Sequence, residues 1–231
     1  MTDQHTIITI SRQYGSNGQE IGRTLAEYLD IGYYNKKIMS VIANMMNISP
    51  EFFDDKNVND LGLYNIESRG LFGFGKMAEL SINTDVFEKA SELIREISKR
   101  EDAVIVGRCA DYILKDNPNL ISVFVYSDFE DRVRWSIEAY NAPEKKAKKI
   151  LIDHDEKRAK FYQFYTNRDW GNASNYNIMI NTSRVSVREA VELLALLYDE
   201  KKGHKSLKGG FVDQYIQHAE LATPNPQDEG I

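Results

Sequence analysis

The chain has 231 residues, 42% apolar and 28% charged, with 29 Lys and Arg against 35 Asp and Glu for a net charge of −6. That length suits one α/β domain with a core large enough to need no metal or disulfide staple, and the single cysteine, Cys109, excludes an intrachain disulfide. The acidic balance argues against a surface built throughout to grip nucleic acid, but it allows a local basic site for a small phosphate ligand.

Taken in chain order, Thr6–Ser11 is short, β-branched and apolar, the pattern of a buried strand. Arg12–Gly18 is a glycine loop, and Ile21, Leu25 and Leu29 then recur at helical spacing. Gly32–Tyr34 reads as a second strand and Lys36–Asn47 as a helix. Asn57–Gly75, with four glycines among scattered aromatics, predicts a loop or a partly ordered insert. Helix follows at Thr84–Lys99, a buried strand at Ala103–Val106, a short helix at Ala110–Lys115, and another buried strand at Ile121–Tyr126. A helix from Asp128 to about Glu138 and a long charged helical region at Pro143–Tyr165 come next. Tyr176–Ile180 predicts a strand, and Ser186–Tyr198 an amphipathic helix capped by Ser186. Strands that are apolar on both faces and alternate with helices predict a parallel sheet covered on both sides. Residues 201–231 read as a tail, with room for one helix at Phe211–Leu221.

No apolar run approaches bilayer length, and the polar Met1–His5 opening lacks a signal-peptide layout. The expectation is a cytoplasmic protein with neither membrane nor nucleic acid as a partner; the oligomeric state stays open.

A loop at the carboxyl end of a strand that leads into a helix offers backbone N–H groups to an anion. Gly15 and Gly18 permit the tight path that such a nest requires, so Arg12–Gly22 (RQYGSNGQEIG) is a candidate phosphate cradle; the alternative is a plain glycine turn. No lysine lies between Gly15 and Arg23, and Arg12 and Arg23 are the nearest cations that could replace one. The hydroxyl that holds Mg²⁺ in a standard loop of this kind would fall near Gln19 or Glu20.

Arg108 follows a buried strand and is placed for bidentate contact with a phosphate, or for a structural ion pair with Asp111. Asp111 could orient Arg108, touch a sugar or base, or be an ordinary helix carboxylate. Pro143–Asp169 carries eight basic residues against five acids, which suits either a solvated face or a basic helical hairpin closing over a phosphoryl group. Arg158 and Arg168 are the candidates for that second role. The four histidines show no metal-ligand spacing, so no metal site is expected within the chain. Cys109 reads as a small buried filler, or as a thiol activated by Arg108.

Together, ITISRQYGSNGQEIG at 8–22, LDIGYYNKKI at 29–38, IVGRCADYIL at 105–114, DEKRAKFYQFYTNRDW at 155–170 and NYNIMINTSRVSVREAVELL at 175–194 resemble the cytidylate kinase-like proteins, a branch of the P-loop nucleoside monophosphate kinases. The resemblance implies a three-layer α/β fold over residues 1–200: a parallel sheet flanked by helices, a monophosphate-binding insert at about 36–100 and a helical lid at about 143–170. It implies ATP and Mg²⁺ as cofactors and CMP, dCMP or a related small acceptor as the nucleotide partner. Carried over by position, Gly15, Ser16, Asn17, Gly18, Gln19 and Glu20 would line the ATP phosphates, with Arg184 beside the adenine. Arg108, Asp111 and Lys36 or Lys37 would meet the acceptor, and Arg12, Arg108, Arg158 and Arg168 would serve transfer. This chain departs from the family pattern at the missing loop lysine, at Asn35, and at Gly107-Arg108-Cys109. The alternatives are a catalytically weak nucleotide-binding regulator and a kinase of another small molecule.

Overall fold

The computed structural model describes residues 5–35, 41, 44–45 and 74–203, with side chains in the last range from residue 87 onward. Its elements are β1 (Ile7–Arg12), α1 (Gly18–Leu29), β2 (Gly32–Tyr34), α2 (Phe74–Arg100), β3 (Ala103–Val106), α3 (Ala110–Ile113), β4 (Leu120–Tyr126), α4 (Phe129–Tyr140), α5 (Glu144–Thr166), β5 (Ile178–Asn181) and α6 (Val187–Lys201). All five strands are parallel, in the order β2-β3-β1-β4-β5.

The strands' double-sided apolarity is used on both faces. On one, Ile8, Ile10, Val104, Val106, Val123, Val125 and Ile180 pack against Ile21 and Leu25 of α1 and Ala190, Val191 and Leu194 of α6. On the other, Ile7, Ala103 and Ile105 meet Ala90, Ile94 and Ile97 of α2, with Ala110 and Leu114. Three layers result, since helices cover both sides of the sheet. Toward β4 this second face turns polar and then aromatic. Thr9, Ser11 and Ser122 are buried there, and Phe124 packs under Trp170 and Tyr176.

Two elements differ from the sequence reading. Helix α2 starts ten residues before Thr84, because Lys76–Leu80 are all strong helix formers that a reading led by the nearby glycines underweights. The charged region is one continuous 23-residue helix, α5, rather than a hairpin in itself. It contains no glycine or proline to break it, and it ends at Asn167 in the left-handed conformation. Its hairpin partner is α4, through a cluster of Val133, Ala142, Ala147 and Leu151. Helix α6 starts as expected, with a capping box in which Ser186 and Glu189 satisfy each other's backbone N–H groups.

At the amino ends of the strands, Asp102 accepts hydrogen bonds from Thr6 N (2.9 Å) and from the Tyr198 hydroxyl, and pairs with Lys202 (2.9 Å) and His5 (3.2 Å). One carboxylate thereby ties the start of β1 to the end of α6. Among the described residues no helix is long and apolar enough to cross a membrane. Lys36 and Lys37, most of the expected insert and helix, and the tail from 204 lie outside the described residues.

Candidate functional site

Beyond Arg12 the chain turns through Gly15 (φ 76°) and Asn17 (φ 60°) into α1. A Cβ on Gly15 would stand 2.9 Å from Arg132 O, and one on Gly18 would stand 2.5 Å from Arg12 Cβ, so neither position tolerates a side chain. Ser16 is fully buried, its hydroxyl 2.9 Å from Gln13 O and 3.1 Å from Val125 O. Ser16 therefore pins the loop to β4 and offers a ligand only its backbone. Thr182 Oγ1, 3.0 Å from Ser16 O, fastens the same residue to the loop after β5. Asn17 provides no side-chain cap for the 12-residue helix α1, which leaves the first-turn N–H groups to an anion.

Two arginines converge on this loop. Arg12 runs past Gly18 and across Gly107, its Nη1 only 2.6 Å from where a Gly107 Cβ would be. Arg158 of α5 donates to Arg12 O (3.0 Å) and lies over the Tyr14 ring. Arg108 sits at the end of β3, next to the glycine that Arg12 crosses. Gly107, Arg108 and Cys109 all have positive φ (79°, 59° and 54°), a run that costs the two non-glycine residues about 1–2 kcal/mol each.

The remaining candidates are placed elsewhere. Glu20 and Arg23 pair with each other on the exposed face of α1 (2.6 Å), and Arg23 also meets Glu27, so Arg23 does not supply the missing charge of the loop. Gln19 is exposed at the start of α1. Arg184 lies 3.5 Å from Asp128, on the loop after β5. Asp111 is buried, accepting from Tyr162 (2.7 Å) and Ser11 (3.4 Å); burial pushes its carboxyl above the usual range. Arg168 lies over the Tyr112 ring near Asp111, past the end of α5, of which about 12 Å runs from Arg158 to its last residue, Thr166. Burial, reinforced by Asp111, pushes the Cys109 thiol far up, which removes the activated-thiol reading.

The sequence reading missed a latch between α4, α5 and the loop. Asp155 accepts from Tyr14 N (2.7 Å) and pairs with buried Arg132, which also donates to Tyr14 O (3.2 Å). The Tyr14 ring stacks on His154 at 4.3 Å. Both backbone groups of Tyr14 are thus engaged by side chains of the helical hairpin, and breaking such a buried pair typically costs about 3–5 kcal/mol. The only local signal was Asp155 three residues before Arg158.

The glycine cradle and free helix N-terminus suit a polyphosphate. Among the described residues no three His, Cys, Asp or Glu side chains gather at metal-ligating range. A magnesium ion would be held mainly by the nucleotide's own oxygens.

A family model described as the cytidylate kinase-like family matches residues 7–184. An uncharacterized protein from Eubacterium ventriosum ATCC 27560 is 27% identical, covering 85% of this chain and 99% of its own, with a TM-score of 0.65. Shikimate kinase from Bacteroides thetaiotaomicron is 14% identical over 84% of this chain and 98% of its own, TM-score 0.49. Shikimate kinase from Acinetobacter baumannii, in complex with shikimate, is 16% identical over 86% and 96%, TM-score 0.48. No curated protein matches the sequence.

Proposed function

The chain belongs to the cytidylate kinase-like family, with a P-loop kinase-like fold, and from that premise we propose that it transfers the γ-phosphoryl group of ATP to a small phosphorylated acceptor, CMP or dCMP first among them. The observation that supports this reading is the meeting of a glycine cradle with Arg12 and Arg158, with Arg12 crossing Gly107, the residue before Arg108.

The ATP phosphates rest on the N–H groups of Gly15–Gly18 and the first turn of α1, and Arg12 supplies the charge that lysine supplies in a standard loop. Arg108, in the left-handed turn at the end of β3, holds the acceptor phosphate. An acceptor phosphate oxygen attacks the γ-phosphorus in line, the bond to the β,γ-bridging oxygen breaks, and ADP leaves. No general base is needed, because the attacking oxygen is already ionised. Positioning and charge neutralisation do the rest. Arg158, anchored on Arg12 O, faces the same phosphates from α5. Magnesium neutralises phosphate charge when bound with the nucleotide.

The second reading, a nucleotide-binding regulator without turnover, draws on the inward-turned Ser16 hydroxyl and the absence of a loop lysine. An assay of ADP release across nucleoside monophosphates and non-nucleotide acceptors separates the two. Acceptor-dependent ADP formation is expected, whereas ATP binding with no turnover on any acceptor would leave the regulator.

A further inference from the structure

A second concave site lies on the polar part of the sheet's second face, between α3 and the 168–177 segment that returns to β5. Its volume is about 530 Å³, within the range of roughly 300–1,000 Å³ that small-molecule sites occupy. It reaches Pro118, Leu120 and Lys201 at the amino end of β4, whereas the phosphate loop sits at the carboxyl end. Seven residues of strand separate that far end from the loop by about 20 Å, while the opposite wall is Asp111, which accepts from Ser11 at the carboxyl end of β1.

The wall chemistry is specific. Arg168 is only partly exposed, and among the described residues its guanidinium has no hydrogen-bond acceptor. Lys115 lies against the same Tyr112 ring, 4.8 Å from its centroid against 5.1 Å for Arg168, so one aromatic holds two cations at the rim. Lys201, anchored on Pro118 O at 2.8 Å, closes the far end. Facing these three cations are Asp116 and Asp111, and Asp111 is already committed to Tyr162 and Ser11.

We propose that this cavity is an anion-binding site, separate from the phosphate loop, in which Arg168, flanked by Lys115 and Lys201, grips the phosphoryl group of a small metabolite. A half-buried guanidinium with unused planar donors matches tetrahedral phosphate oxygens bidentately, and the two lysines add charge without directing geometry. Arg168, read from sequence as a lid residue, is thereby reassigned to ligand binding away from transfer.

The test is calorimetric titration of the full chain with inorganic pyrophosphate while the loop is saturated with adenylyl imidodiphosphate and the acceptor position at Arg108 with CMP. One remaining site is expected. Arg168→Gln should weaken it about tenfold or more, and Lys115→Ala/Lys201→Ala about three- to fivefold, with Tm and loop nucleotide affinity unchanged. Malonate should bind more weakly than pyrophosphate. No binding with the loop occupied, equal affinity in Arg168→Gln, or a preference for malonate would overturn the proposal. If the nucleotide analogue itself fails to bind, the kinase reading fails instead. Pyrophosphate alone then still tests this site, by whether Arg168→Gln removes a binding event or leaves the isotherm unchanged.

Discussion

Arg108 carries the largest burden among single residues. Its backbone is held left-handed between Gly107 and Cys109, a conformation that persists only where surrounding structure enforces it. Replacing it with alanine removes the acceptor's cation and leaves β3 and α3 packed. Transfer by Arg108→Ala should fall about 10²–10³-fold in kcat/KM with Tm nearly unchanged. An unchanged kcat/KM would remove Arg108 from the site. Gly18→Ala tests the cradle from the other side: its Cβ would stand 2.5 Å from Arg12 Cβ, so the loop must shift and carry Arg12 with it. Calorimetry should show ATP affinity reduced about tenfold or more. The tight turn at the two glycines and the place of Arg108 just past a buried strand were legible in the sequence because strand, turn and helix follow one another at both joints. The inward rotation of Ser16 was not, because its partners Gln13 O and Val125 O are set by the pairing of β1 with β4.

At the scale of elements, α5 is the decisive piece. Composition marked it as charged and helical, and the structure adds that its charges are directed. Asp155 and Arg158 reach the loop, Tyr162 covers Asp111, and Arg168 beyond its end faces the second cavity. Spacing along one helix could not reveal this, since Arg132 lies 23 residues before Asp155 and on a different helix. Asp155→Asn leaves the buried Arg132 without its carboxylate. The expected loss is about 3 kcal/mol, a fall in Tm of about 6–12 °C for a domain of this size. Because Tyr14 is released as well, KM for ATP should rise several-fold in the folded variant. A lower Tm with unaltered KM would make the latch purely structural. Strand positions were legible to within about two residues because buried parallel strands are continuous apolar runs. The start of α2 was not, because turn-forming glycines and helix-forming side chains gave opposing signals there.

The whole molecule is held at its amino edge by Asp102, which joins β1, the turn into β3 and the last turn of α6. Burial raises its pKa, but hydrogen bonds from Tyr198, Lys202 and Thr6 N outweigh that and hold the carboxyl below its usual value. A depressed acid contributes stability above its unfolded pKa of about 4 and loses it as pH falls through the lower folded value. Asp102→Asn should therefore cost about 1–2 kcal/mol at neutral pH. The Tm gap between the two proteins should narrow as the pH falls below about 4; a gap independent of pH would mean that the charge is not the source. The net charge of −6 is reconciled with phosphate chemistry at this scale: the cations are gathered at the loop and at the second cavity, and acids such as Glu20 and Glu27 occupy the exposed faces.

The central claim is phosphoryl transfer at the glycine loop. Its most direct measurement is ³¹P NMR of ATP and CMP incubated with the full chain, followed by the same panel with other monophosphates. The account predicts the appearance of ADP together with a newly diphosphorylated acceptor, both suppressed in Arg108→Ala. ATP that binds yet stays intact with every acceptor, or is hydrolysed to free phosphate at a rate indifferent to acceptor and to Arg108, would contradict it.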